Sequence, residues 1–454
     1  MNGWTASPVN PYANRRPTPE PEEFYGREEE VRWLLEQTLG ETPQCCAIVG
    51  VRRIGKTWLL RFLATPAGAR QKYSEYAPSE PALFLYLDLS TVSSENSVRQ
   101  ITRQVARALA RVSPNGEQAS TLEELARHLK AAAQDDDPVQ AAVEAFQDVA
   151  ESVGRLVLLL DEIDRREMWR GGALAPFLRR LASETPTAIV TASARQLHEL
   201  LGTERTTSPL YNIFWTRFLG MMPSHEARQL LVDPARQRGV EWPDQLVEEV
   251  LSQTGGHPDL IKLAGAHMWH LWHAERGPEL TWDEVREAMW PDVEGVFASL
   301  ERHLTEDERE LLRTIARGHP PDLSAYRTLR RLKQYDLIQE TLAGWKVFGG
   351  LFQEWLQSQP NHEESARLEG PFLRIDGHRV LLTEKERRLV GCLLRHRGQV
   401  CSREALRREV FEGVSEQSKA LEMLVRRLRA KLEREAPGAE THIVTVRGSG
   451  YMWK

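Results

Sequence analysis

The eight residues GVRRIGKT, Gly50 to Thr57, constrain this chain more than any other stretch. Two glycines separated by four residues, then Lys and Thr, give the spacing of a phosphate loop. The glycines let the backbone curl around phosphate oxygens, the lysine reaches the β/γ phosphates, and the hydroxyl holds Mg²⁺. Such a loop works only between a strand and a helix, because the first amides of the helix must point at the anion. Both flanks are there: apolar CCAIV before it and TWLLRFLAT after it. Gly50, Arg53, Gly55, Lys56, Thr57 and Trp58 are the first nucleotide-binding candidates. Lys56 also carries a catalytic role, and Thr57 is a metal ligand.

Further apolar runs, ALFLYLDLS, RLVLLLDEID and TAIVTASAR, alternate with helix-period segments. Short buried strands separated by helices predict a parallel sheet covered on both faces. The strand LVLLLDEID ends in Asp161 and Glu162. The first is placed to hold Mg²⁺ and the second to polarise an attacking water. The strand IVTASAR ends at Thr191, Ser193 and Arg195, and Arg195 is the candidate sensor of the γ-phosphate. After about Gly202 strands are expected to stop, with helical segments running to about Ser299.

A helix-helix-hairpin pattern over 300–359 reads as a small winged helix, and 360–369 as a polar linker. Residues 1–22 hold five prolines and little apolar material, so they are expected to form an extended tail without a core. The expected fold is an α/β P-loop NTPase core with a parallel sheet over 23–202, then an all-α lid over 203–299. A winged helix over 300–359 and an α+β winged helix-turn-helix over 370–454 follow.

The formal net charge of −6 hides an asymmetry. Residues 370–454 carry 18 Lys+Arg against 11 Asp+Glu, while residues 1–369 carry 41 against 54. A basic end on an acidic body points to an anionic partner for that end. There, SKALEMLVRRLRAKLE places Arg426, Arg427, Arg429 and Lys431 beside an apolar stripe of leucines and Val425. HIVTV and YMW then form a hairpin turning through Arg447, Gly448, Ser449 and Gly450. A basic helix beside a basic glycine hairpin is the physical outline of a DNA reader, with the helix in the major groove and the wing on the backbone. Arg426, Arg427, Arg429, Lys431, Arg447 and Ser449 are the DNA-binding candidates.

No apolar run reaches the roughly 20 residues that span a bilayer, and no secretory pattern opens the chain. A cytoplasmic protein without a membrane partner is expected. Cys45, Cys46, Cys392 and Cys401 show no metal-like spacing and read as buried thiols in a reducing compartment. His267, His270 and His273 recur every three residues, interleaved with Trp269 and Trp272, and read as helix packing.

FYGREEEV, GVRRIGKT, LLLDEID, VTASAR and TGGHPDLIKLAG occur in the order found in signal-transduction ATPases with numerous domains. The chain from about 23 to 358 resembles these STAND relatives of the AAA+ class, including archaeal ATPases similar to origin-recognition proteins. The resemblance implies ATP/ADP and Mg²⁺ as cofactors, with Gly26 and Arg27 near the adenine. It also implies that Gly256-His257-Pro258 of the lid packs over the nucleotide. Residues 370–454 resemble the DNA-binding domain of OmpR/PhoB-type response regulators, carried by LTEKE, SREAL, RLRAKL and RGSGY. That implies double-stranded DNA as partner. Together the two imply a nucleotide-controlled transcriptional regulator with slow ATPase activity that self-associates, and a separate trigger or effector protein is a further candidate partner. A DNA-remodelling or transposition-type ATPase, or a defence sensor, is the alternative.

Overall fold

The structure, a computed structural model, describes residues 9–13, 21–65, 68–75, 81–93, 96–112, 117–169, 172–201, 210–321, 325–342, 344–359, 366–375, 378–411, 419–446 and 448–453. The chain divides into two compact units, Met1–Gln357 and Ser358–Lys454.

The first unit opens with α1 (Glu28–Leu39), β1 (Cys45–Val49), α2 (Lys56–Ala64), α3 (Ala69–Lys72) and β2 (Leu83–Asp88). Then come α4 (Ser97–Leu109), α5 (Glu117–Ala132), α6 (Pro138–Val153) and β3 (Leu156–Asp161). The core ends with α7 (Arg166–Trp169), α8 (Leu174–Glu184), β4 (Thr187–Ser193), α9 (Leu197–Leu201) and β5 (Phe214–Phe218). The five strands form one parallel sheet in the order β2-β3-β4-β1-β5. Successive strand residues face opposite sides, so Ile48, Leu159 and Val190 enter one apolar cluster while Ala47, Leu158 and Ile189 enter the other.

β5 lies beyond Gly202, where no strand was expected. Its residues, FWTRF, form the edge of the sheet with a mostly exposed Trp215, so no continuous apolar run marks it. The core therefore extends to about Phe218.

The lid follows as α10 (Ser224–Arg236), α11 (Asp244–Thr254), α12 (Pro258–Leu271) and α13 (Trp282–Glu301). The winged helix is α14 (Glu306–Ala316), α15 (Tyr326–Gln334), β6 (Ile338–Thr341), β7 (Gly344–Val347) and α16 (Gly350–Ser358). One apolar cluster runs from Tyr12 and Phe24 through the sheet and lid to Leu356. Lid and winged helix meet backbone to backbone at Gly255 and Gly349, both at positive φ. A Cβ on Gly255 would stand 2.5 Å from the Gly349 nitrogen. Only glycine fits there.

Tyr12 corrects the reading of residues 1–22 as a tail without a core. It is 5% exposed; its hydroxyl donates to the Leu231 carbonyl and accepts from Trp242 Nε1 at 3.2 Å. Its ring lies on the bare face of α12 at Gly265, where a Cβ would come within 2.6 Å of it. Most other residues of 1–22 lie outside the described set.

The second unit begins with β8 (Arg367–Glu369), β9 (Phe372–Ile375) and β10 (His378–Leu381), an antiparallel sheet in the order β10-β9-β8. Its first strand falls within the stretch expected to be linker. α17 (Glu384–Arg395), β11 (Cys401–Ser402), α18 (Arg403–Phe411), α19 (Lys419–Glu435), β12 (Ile443–Val446) and β13 (Gly450–Trp453) complete it. Thr383 and Glu386 cap α17 reciprocally. A separate core holds Leu421, Val425, Leu428 and Leu432, the stripe of α19.

Candidate nucleotide site and nucleic-acid interface

β1 delivers the phosphate loop and is pinned on both sides. Gly50 N donates to Ser193 O at 3.1 Å, and Leu219 N to Val49 O at 2.7 Å. A Cβ on Gly50 would stand 2.6 Å from the Leu219 carbonyl, so the close approach requires glycine there. Gly55, at φ 101°, turns the chain into α2. Lys56 opens that helix with its ammonium folded back onto the loop, donating to Gly50 O at 2.7 Å and Val51 O at 3.0 Å. Burial lowers the Lys56 pKa, and Asp164, Asp161 and Glu162 oppose the shift.

Two recesses adjoin at the loop and share Arg53, Gly55, Trp58 and Asp259. The first has apolar walls of Phe24, Tyr25 and Trp58 from the core and Met222, Leu230 and Pro258 from the lid. Apolar walls with a few polar groups suit a flat base. The second holds Lys56, Thr57, Asp161, Glu162, Asp164 and Arg52. This set suits a polyphosphate with Mg²⁺, and Thr57 and Asp161 are the residues that could hold the ion. Asp161 is buried; it accepts from Tyr86 Oη and from Glu162 N, each at 2.9 Å. Burial raises the Glu162 pKa, and Asp161 adds to it.

Among the described residues the non-glycine positions at positive φ are Arg27, Arg53, Glu162 and Asp336. Arg53 and Glu162 line the phosphate recess, and Arg27 lines the apolar one. Asp336 belongs to the same network: it accepts from Met221 N at 3.2 Å, beside the Gly220 carbonyl that takes the Arg27 guanidinium at 2.6 Å. Left-handed backbone costs a side-chain residue about 1–3 kcal/mol and persists where surrounding contacts hold it. The strain thus gathers around one site.

That site is closed by more than the core. Arg53 Nη1 meets Asp259 Oδ2 of the lid at 2.8 Å, and the Lys262 ammonium sits 4.0 Å over the Trp58 ring. Arg27, 6% exposed, also bonds the loop carbonyl of Ile54 at 3.3 Å, while its own amide donates to Glu226 Oε2 of the lid at 3.0 Å. Burial lowers the Arg27 pKa, with Glu30 and Glu226 opposing. His257 is buried and stacked on Phe348, and burial pushes its imidazole down to about 4.

In the second unit α19 presents Arg426 and Arg427 to solvent, and neither pairs with a carboxylate among the described residues. Ser449 is exposed in the turn of the β12–β13 hairpin.

Residues 18–356 match the family described as Novel STAND NTPase 1. The chain belongs to that family. Residues 377–453 of this STAND NTPase match a second family, described as Transcriptional regulatory protein, C terminal. Its fold is similar to that of the Walker-type ATPase PABY2304 of Pyrococcus abyssi. That match has a TM-score of 0.51 and 18% identity over 76% of this chain and 99% of that one. The Aeropyrum pernix ORC2 protein, solved as ADPNP-ADP complexes, gives a TM-score of 0.48 and 15% identity over 76% of this chain and 96% of that one. No curated protein matches. The chain is thus a STAND NTPase joined to a transcriptional-regulator DNA-binding domain.

The structure of the STAND NTPase gathers Arg53, Gly55, Lys56, Thr57, Trp58, Asp161, Glu162 and Pro258 at the two recesses, and Gly50 is joined to them through its carbonyl, which accepts from Lys56 Nζ. Gly26 and Gly256 lie behind them as close-packing glycines. A Cβ on Gly26 would stand 2.6 Å from Glu226 Oε2, and one on Gly256 would stand 2.5 Å from Met222 O. Arg195 departs from expectation: it does not line the phosphate recess, and its guanidinium reaches His303 O at 3.5 Å. The cause is Asp164, which takes the amides of Ala194 at 2.9 Å and Arg195 at 3.2 Å and turns the strand end.

Two of the DNA candidates are used internally. Arg429 donates to Ile443 O at 3.1 Å and to Thr445 Oγ1 at 2.8 Å, bracing the hairpin. Lys431 pairs with Glu386 of α17 at 3.1 Å. Arg447 lies outside the described residues. Sequence reasoning missed Asp164, Glu226, Asp259, Lys262, Tyr335 and Asp336. Asp164 and Asp259 had a signal, as the third acid of DEID and the residue after Gly-His-Pro. The three histidines at the end of α12 and just beyond it do not converge: His267 pairs with Asp292 at 3.1 Å, and His273 bonds the Trp269 carbonyl at 2.8 Å.

Proposed function

We propose that this chain is a DNA-binding transcriptional regulator switched by the nucleotide in its STAND unit. ADP holds core, lid and first winged helix closed. ATP with Mg²⁺ releases the winged helix, the chain self-associates, and clustered C-terminal domains bind paired DNA half-sites with avidity. Slow hydrolysis, with Glu162 polarising the water and Lys56 and Mg²⁺ stabilising the phosphates, resets the switch. Arg426, Arg427 and the wing residues Arg447 and Ser449 contact the duplex.

The observation that carries this reading is the attachment of the first winged helix to the nucleotide site. Tyr335 Oη donates to Ala194 O, at the end of the strand beside the loop, at 3.1 Å. Asp336 and Gly349 hold the lid at Met221 and Gly255. An enzyme that only turned nucleotide over would have no need of such a clamp.

The test is the size of the full chain on a column with ADP, with ATP and with Lys56→Ala, alongside DNA binding across salt. Larger assemblies with ATP alone, binding DNA more tightly, are expected. Identical behaviour in all three leaves a constitutive DNA binder. Fast DNA-stimulated hydrolysis would point instead to mechanical work on DNA.

A further inference from the structure

Cys392, His396 and Cys401 play no part in the nucleotide site or in the reading of DNA, yet they converge. Their sulfur and nitrogen donor atoms all lie within 4.8 Å of one another. This is the one such group of three found among the described residues. Cys392 and His396 stand four residues apart at the end of α17, hence on one helical face. Cys401 comes from β11, on the far side of the turn at Gly398. Both thiols are buried and the imidazole is exposed. The linear pattern concealed this because the third donor arrives from a separate strand.

We propose that these three residues form a zinc site with two thiolates, one imidazole and a fourth position open to water. Two sulfurs on a tetrahedral zinc ion stand about 3.8 Å apart, with metal–sulfur bonds of about 2.3 Å and metal–nitrogen bonds of about 2.0–2.1 Å. Donor atoms within 4.8 Å of one another stand within reach of that spacing. His396 Nδ1 lies 2.9 Å from the Cys392 carbonyl. With the proton on Nδ1 donated to that oxygen, Nε2 keeps its lone pair for the metal, the arrangement usual for a ligating histidine. Binding releases one proton from each thiol to solvent and leaves the first coordination sphere neutral.

The ion ties the end of α17 to β11. β11 pairs with β13 at Tyr451, and β13 pairs with β12 to make the wing. α18 begins directly after β11. Metal occupancy therefore bears on the hairpin that faces DNA and not on the nucleotide.

The full chain, stripped with a chelator and kept reduced with a phosphine, is titrated with Co²⁺. One equivalent should produce thiolate-to-cobalt charge-transfer bands and tetrahedral d–d bands, and Zn²⁺ should displace both. Cys401→Ser should lose the charge-transfer intensity. His396→Ala removes an exposed side chain and spares the core. It should weaken Co²⁺ binding at least about tenfold, the loss that even an outer-shell change brings. The proposal is overturned if wild type shows no saturable band. It is equally overturned if the bands survive in both variants, which would assign them to Cys45 and Cys46.

Discussion

Tyr335 of the first winged helix donates its phenol proton to the carbonyl of Ala194 at 3.1 Å, in a buried contact 141 positions apart in sequence. The carbonyl belongs to the turn that ends β4, next to the phosphate loop. Tyr335→Phe keeps the ring and removes the bond, a net loss of about 1 kcal/mol, or about fivefold in an equilibrium. Release of a fluorescent ADP analogue from the full chain should accelerate by that factor. An unchanged release rate would remove the winged helix as a clamp.

Glu162 and Lys56 should separate under mutation. Glu162→Gln keeps the size of the side chain and removes its charge, so nucleotide binding persists while turnover falls by about 10²–10⁴, the usual worth of a general base. The readouts are phosphate release and nucleotide-induced thermal stabilisation on the same preparation. Loss of binding in the variant would count against this division of roles.

His257 makes stability depend on pH. Its folded value is about 4 against an ordinary 6.5. Above 6.5 both folded and unfolded rings are neutral and the contribution is fully present. As pH falls below 6.5 the unfolded chain takes up a proton that the buried ring refuses until about pH 4. Stability should therefore drop across that window by about 3 kcal/mol. Urea midpoints of wild type and His257→Phe from pH 7 to pH 4 isolate this part, and parallel curves would refute it.

The arginines of α19 should divide into two classes. Arg426→Ala and Arg427→Ala weaken binding to any duplex, each lowering the slope of log affinity against log salt by about one. Arg429→Ala leaves that slope unchanged and lowers stability by about 1–3 kcal/mol, because the Ile443 carbonyl loses its donor. A slope that changes in Arg429→Ala would return that residue to the DNA-facing surface.

What could be read from the sequence followed how local each signal is. The phosphate loop and the strands ending in Val49, Asp161 and Ser193 were legible because each is a continuous, fully buried apolar run bounded by its functional residues. β5 was not, because an edge strand with Thr216 and Arg217 carries no such run. Tyr12 was hidden in a proline-rich stretch, since a lone aromatic gives no period. Arg195 was misjudged because an arginine at a strand end says nothing about the carboxylate, here Asp164, that turns the backbone under it. Arg429 stands one helical turn from Arg426 and Lys431 one turn from Arg427; only the approach of Ile443 and Glu386 shows which cations are already engaged. The Cys392–His396–Cys401 group was invisible for the same reason.

The contact between Gly255 and Gly349 bears on how fast the molecule can respond. Most interior faces mesh like a jigsaw, and pulling them apart forces many side chains through new rotamers. Here peptide lies against peptide, flanked by the near-parallel rings of His257 and Phe348, whose planes differ by 22°. Flat surfaces have no teeth to clear. At the glycines the lid and winged helix are joined along a seam that can slide, while Phe297 of α13 packs against Phe352 and Trp355 of α16, so that aromatic cluster is the part that opening must undo and closing must rebuild.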